Sequence, residues 1–227
     1  MSLKNKVIFV ILFYMTNLPI LLELTTLQLA FFIIVPIVLV IFLFICLYFP
    51  IVHAYHRKHF QIHFYKKVYK VALNNDYYLI NQFQFKVDDS KLAGVDHILF
   101  GNKFIYVITS LYYEGDLIGK YNDKSLIFIT HKGKKWYTDN PFNQVKLLAS
   151  KLSSSTGVDA SLMIGIVLIN DDCKVSVQSE SKEFYIIQRK RFAALIKAIE
   201  SRPVEDINEA QLAKAVQSIA KQNRKKK

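Results

Sequence analysis

Chemistry that depends on cysteine pairs, glycine-rich loops or runs of acid has little to work with in this sequence. Two cysteines occur in 227 residues: Cys46 inside a long apolar stretch, and Cys173 in an Asp-Asp-Cys-Lys segment. They cannot build a disulfide framework or a four-cysteine metal site, and they read as a small buried hydrophobe and a loop thiol. None of the seven glycines stands in a GxGxxG or GxxxxGK arrangement. That sets aside P-loop nucleotide hydrolysis and dinucleotide binding of the Rossmann kind. No repeat of solenoid length is present. Acid is scarce too, with 18 Asp+Glu against 30 Lys+Arg.

What the sequence has in excess is apolar residues at one end and positive charge over the rest. Among the charged residues only Lys4, Lys6 and Glu23 precede residue 53, which leaves residues 53–227 with 28 Lys+Arg and 17 Asp+Glu, a formal net of +11. Residues 29–52 carry no charge. At about 1.5 Å rise per residue they can cross a hydrocarbon core of roughly 30 Å with some tilt, and an internal kink at Pro36 is tolerable. Residues 7–24 form a weaker stretch, interrupted by Asn17, Pro19 and Glu23. A signal peptide is the competing reading there, but no small-residue cleavage site follows. Residues 1–52 are therefore expected to form a transmembrane helical hairpin with its tip at 23–28. Lys4 and Lys6 precede the first span, and Arg57, Lys58, Lys66, Lys67 and Lys70 follow the second. This bias predicts a two-span protein of the cell membrane with both termini and the soluble domain in the cytoplasm. The bilayer is then one partner, and Asn17 and Glu23 leave room for a membrane-protein partner through interhelical hydrogen bonds.

Residues 53–74 read as a juxtamembrane connector and first helix. His53, His56, His59 and His63 share one side of it, and His59 and His63 have a spacing that can share a metal. No Cys or acid completes that set, so an interfacial helix is expected instead. Phe60, Phe64, Val68, Val71 and Ala72 give residues 57–74 one apolar face. Residues 77–87 alternate as a half-buried strand does, except where Asn81 interrupts the series. Residues 94–100 and 104–112 flank Gly101-Asn102-Lys103, which predicts an antiparallel hairpin. Short strands fit 117–120, 126–130 and 135–137. Asn140 caps, and Pro141 opens, a helix to about residue 153, with Val145, Leu148 and Leu152 inward. A strand at 162–169, a turn at 170–174, a strand at 184–187 and helices at 189–200 and 205–220 complete the order. It predicts an α/β domain over 75–200, a mixed central sheet flanked by helices, followed by a C-terminal basic helix and tail at 201–227.

Several of these features, in order, resemble the nuclease-related domain (NERD) family, whose members are similar to restriction-type nucleases with a PD-(D/E)XK core. They are a helix before Tyr77-Tyr78-Leu79-Ile80-Asn81, then a strand with Asp96-His97. A strand ending in a bend at Gly115 follows, with a second glycine at Gly119. Trp136 and Asn140-Pro141-Phe142-Asn143-Gln144 come last. The resemblance runs from about residue 57 to about residue 170. It implies a restriction-nuclease-like fold and a site built from a helix Glu, the Asp of the Asp-His strand and a Glu-x-Lys on the next strand. In such a site carboxylates hold a divalent cation that activates water, and the lysine positions the nucleophile.

Only the Asp survives here, as Asp96. The Glu-x-Lys positions read Thr109-Ser110-Leu111, and the helix stretch that matches the family Glu reads Gln61-Ile62-His63-Phe64-Tyr65-Lys66-Lys67. The expectation is a catalytically degenerate domain with no cofactor, acting as a binding or scaffolding module. The alternative is a Mg2+-dependent nuclease with relocated ligands, Asp96 together with Glu114 or Asp116. Neighbouring strand residues point to opposite faces, so Asp96 and His97 are not expected to work as a direct acid–base pair. Asp96 is expected to bond to Thr109 or to backbone amides. Contacts to nucleic acid, anionic lipid or a protein partner are expected from Lys132, Lys134 and Lys135 beside Trp136, and from Arg189, Lys190 and Arg191, with a further basic cluster at 224–227.

Overall fold

The computed structural model describes residues 26–88, 91–178 and 181–223. The chain divides into two compact units, Met1–Lys58 and His59–Lys227. In the first, helix α1 (Thr26–Lys58) contains the stretch Ala30–Tyr48, of mean hydropathy 3.4 and with none of it buried inside the protein. That stretch is long and apolar enough to cross a membrane. The expected two-span topology is overturned, because among the described residues this is the one helix that qualifies. The other expected span, residues 7–24, lies outside the described residues. In sequence it is broken by Asn17, Pro19 and Glu23, whereas Ala30–Tyr48 has no charge. With one qualifying helix among the described residues, the two-span basis for placing both termini on the same side is lost. The sequence signals at His53, His56 and residues 224–227 likewise concern side chains outside the description.

The second unit begins with α2 (Phe60–Asn75), which buries Phe64, Val68, Val71 and Ala72 and ends where Asp76 takes a left-handed conformation. Strands β1 (Tyr78–Asp88), β2 (Lys91–Phe100) and β3 (Ile105–Leu111) form an antiparallel meander. Next come β4 (Gly115–Lys120), β5 (Ser125–Thr130), β6 (Lys135–Asp139) and α3 (Pro141–Thr156). The chain then returns as β7 (Met163–Ile169), β8 (Val175–Gln178) and β9 (Phe184–Gln188), and closes with α4 (Phe192–Glu200) and α5 (Glu209–Gln222). The main sheet has the order β1-β2-β3-β7-β9, with β3, β7 and β9 parallel, and a second sheet has the order β6-β5-β4-β8. A mixed central sheet flanked by helices is therefore present, as the element order implied.

Alternation along the strands divides the interior into two cores. Leu99, Tyr106, Ile108, Ile166 and Leu168 meet Phe64 and Val68 of α2 and Phe192, Ile196 and Ile199 of α4. On the other face Phe85, Val107 and Val167 meet Val145 and Leu152 of α3, Ala215 and Ile219 of α5, and Leu117 of the second sheet. Asn140 fixes α3 to that second sheet. Its Oδ1 accepts the Phe142 amide at 3.0 Å, while its Nδ2 donates to the carbonyls of Tyr121 at 3.0 Å and Asp123 at 2.8 Å. Strand β8 was not anticipated, since four residues after a turn are too few to display a period. Residues 189–191 form a 3-10 turn ahead of α4, and α5 starts at Glu209 because Asn208 caps it. Cys173 lies in a turn as expected but is fully buried, and burial pushes its thiol up to about 12.

Candidate functional site

The site begins with an irregularity shared by two strands. In β1 the residues that pack into the α3-side core are Ile80, Phe83 and Phe85, and in β2 they are Val95, Ile98 and Phe100. A regular strand would send every second residue there, so the phase slips once in each strand, between 80 and 83 and between 95 and 98. Asn81 pairs with His97 and Phe83 with Val95, which leaves Gln82 and Asp96 opposite each other and outside the ladder. Gln82 has the left-handed φ of 50° that such a departure needs. Asn81 with Gln82, and Asp96 with His97, consequently emerge on one side of the sheet. With Gln61, Ile62 and Tyr65 of α2 and Ser110 of β3 they line a cleft of about 430 Å³. The expectation that Asp96 and His97 point to opposite faces is thereby corrected, because it assumed an unbroken period of two.

Asp96 Oδ2 accepts the backbone amide of Ser110 at 2.6 Å, one of the two arrangements expected for it. Burial raises its carboxyl above the ordinary value, and the Ser110 amide acts in the opposite direction. His97 Nδ1 lies 2.7 Å from Asn81 Oδ1, a hydrogen bond that requires the tautomer with the ring proton on Nδ1. Burial lowers His97 to about 4, which leaves it neutral at pH 7. The Tyr65 ring stands 6.1 Å from the His97 ring, centroid to centroid. The cleft is thus walled by amides, the hydroxyl-bearing Tyr65 and Ser110, a neutral imidazole and one carboxylate.

The other positions of the expected nuclease site do not join it. Leu111 packs against the α3-side core together with Val107, and Thr109, between them in the alternation, shares that face. The Thr109 hydroxyl is buried there with no hydrogen-bond partner. Gln61 stands on α2 at the cleft rim as a neutral amide. Asp116 lies on β4 in the other sheet, where Oδ1 accepts the Lys174 amide at 3.4 Å. Among the described residues no three His, Cys, Asp or Glu side chains are grouped so that they can hold a metal ion. The divalent cation that the resemblance implies needs several converging oxygens of negative charge. One desolvated carboxylate already holding an amide does not fit it.

The basic candidates fall into two places. Lys132, Lys134, Lys135 and Trp136 lie in the β5–β6 turn and on β6, an edge of the second sheet, with Trp136 59% and Tyr137 84% exposed. Arg189, Lys190 and Arg191 follow β9, an edge of the main sheet. Arg189 Nε donates to Asp171 Oδ2 at 3.0 Å and the Lys190 amide to Asp171 Oδ1 at 2.7 Å, which occupies much of that cluster. Sequence reasoning missed Asn81 and Gln82 as cleft residues, and it had Gln61, Tyr65 and Ser110 only within the stretches aligned with the family's lost positions. The one visible signal was Asn81 breaking the apolar series.

The α/β unit thus carries a cleft between its first helix and the β1–β2 hairpin, with Asp96 and His97 on one wall and no metal-holding group of His, Cys, Asp or Glu among the described residues. Residues 61–170 match the family model described as a nuclease-related domain (NERD). No curated protein and no solved structure matches the chain.

Proposed function

We propose that this protein is a tethered binding module on a restriction-nuclease-like scaffold, without the capacity to cleave phosphodiesters. The observation that carries this reading is the cleft itself. Its single carboxylate, Asp96, is engaged by the Ser110 amide, and the positions where the family places Glu and Lys are Thr109 and Leu111, turned to the opposite face. Leucine cannot donate to phosphate, and threonine is a poor substitute for a metal carboxylate. A PD-(D/E)XK core is the accompanying fold reading, supported by the order of helix, antiparallel meander, helix α3 and parallel β7. Helix α1 supports attachment to a bilayer. The exposed turn with Lys132 and Lys134, next to Trp136, supports a single-stranded nucleic acid as partner, through phosphate contacts and base stacking.

The test uses the full chain in detergent micelles with labelled single-stranded RNA and DNA, in Mg2+ or Mn2+. Salt-sensitive binding, weakened by Lys132→Glu with Lys134→Glu and accompanied by no cleavage, is the expected result. Metal-dependent cleavage that disappears in Asp96→Ala would reverse the proposal. Binding to anionic-lipid vesicles in place of nucleic acid would reassign the same turn to headgroups.

A further inference from the structure

The second sheet turns one face inward, and the other joins neither core among the described residues. Leu117, Phe128, Val175 and Val177 pack into the α3-side core. The strand register sets Ile118, Ile127 and Tyr137 in one row on the opposite face, and Asp116, Ile129 and Lys135 in the next. Two residues further along, Lys120 ends β4, and Asp139 ends β6 opposite Ser125. Ile118, Ile127 and Ile129 belong to neither core, and Ile118 is 38% exposed. The face therefore has an apolar centre and four charged corners. Along β4 the order is acid, Ile118, base; along β6 it is base, Tyr137, acid. Among the described residues none of Asp116, Lys120, Lys135 and Asp139 takes part in an ion pair within the chain.

We propose that this face docks on the same face of a second copy of the chain, about a two-fold axis running along β5. Such an axis lays β4 of one copy over β6 of the other. Asp116 of each copy then opposes Lys135 of the other, Lys120 opposes Asp139, and Ile118 opposes Tyr137. Ile127 and Ile129 meet their own equivalents at the axis. Isologous pairing requires a patch complementary to itself, and this one is so in both charge and apolarity. A two-fold axis across the strands also pairs the charges but sets Ile129 against Ser125, so the apolar match selects the axis along β5. Aligned face-to-face packing of two twisted sheets is an ordinary way of covering such a surface. Three rows on a four-stranded sheet make a small interface, so the association is weak and is best read as proximity.

The test is thiol cross-linking of the full chain in detergent micelles and in liposomes, with Cys46→Ser and Ile127→Cys. A short bismaleimide suits the roughly 10 Å between stacked sheets. Cys173 is buried and does not compete. A cross-linked dimer is expected. Adding Lys135→Asp sets like charges against each other twice by symmetry and lowers the yield about tenfold. The double variant Asp116→Lys with Lys135→Asp restores it, which also shows that the chains are folded. Absence of the cross-link, or a yield indifferent to Lys135→Asp, would overturn the proposal; indifference is what association through α1 alone would give. A further loss in the double variant would overturn the axis along β5.

Discussion

His97 is the residue whose setting gives the clearest solution signature. The unfolded chain takes up a proton on a histidine near 6.5, whereas burial delays protonation of the folded site to about 4. Between those values the unfolded state binds more protons, so stability falls as pH drops through the window and is unaffected above it. The full loss is on the order of 3 kcal/mol. Asp96 works the other way: with its carboxyl raised, the folded state holds that proton above 3.8, and acidification relieves the cost of the buried charge. Thermal unfolding of the full chain in micelles at pH 7 and pH 4.5 should therefore show a shallower decline for His97→Asn than for the parent. An unchanged decline would mean that the imidazole is solvated and not buried. Neither shift could be read from the Asp96-His97 dipeptide alone, because both depend on α2 covering the cleft.

At the scale of elements, Asn140 joins a helix start to a turn. As an N-cap its oxygen is replaceable by aspartate, but its amide also donates to the carbonyls of Tyr121 and Asp123. Asn140→Ala should cost about 1–3 kcal/mol through the lost cap and the stranded carbonyls. Asn140→Asp should be at least as damaging despite keeping the cap, since it faces those carbonyls with a carboxylate. Chemical denaturation of the two variants checks the order. The cap and Pro141 were legible in sequence because helix starts are local chemistry, and so were α2, the β2–β3 hairpin and β7, whose apolar periods run long enough to read. The cleft was only partly legible. Asn81 announced a break in β1, but β2 gave no matching signal: Ile98, Leu99 and Phe100 are all apolar, and which of them enter the α3-side core is decided by the neighbouring strand. The pairing of β8 with β4 rests on a contact across more than fifty residues, which no local pattern encodes.

For the molecule as a whole, the proposed attachment to a bilayer would rest on α1, the one helix among the described residues that is long and apolar enough to cross it. Placing a charge at the middle of its apolar stretch, as in Val38→Lys or Leu39→Lys, adds about 2.5–3.5 kcal/mol to insertion. Membrane fractions washed with alkaline carbonate should retain the parent chain and lose a substantial part of the double variant. Equal retention would mean that something other than α1 holds the protein there. The two-span expectation and the reading of α1 both rested on composition, which separates the uncharged stretch Ala30–Tyr48 from one interrupted by Asn17, Pro19 and Glu23.

The slip shared by β1 and β2 also bears on how such a cleft arises and is lost. Removing Gln82 and Asp96 together would leave Ile80, Phe83, Val95 and Ile98 in strict alternation, with Asn81 still facing His97. The hairpin would close into a flat ladder and keep both cores. Removing either residue alone would throw one strand out of step with its neighbour along its remaining length. The hollow is therefore a matched two-residue insertion, one that can be gained or erased only in pairs.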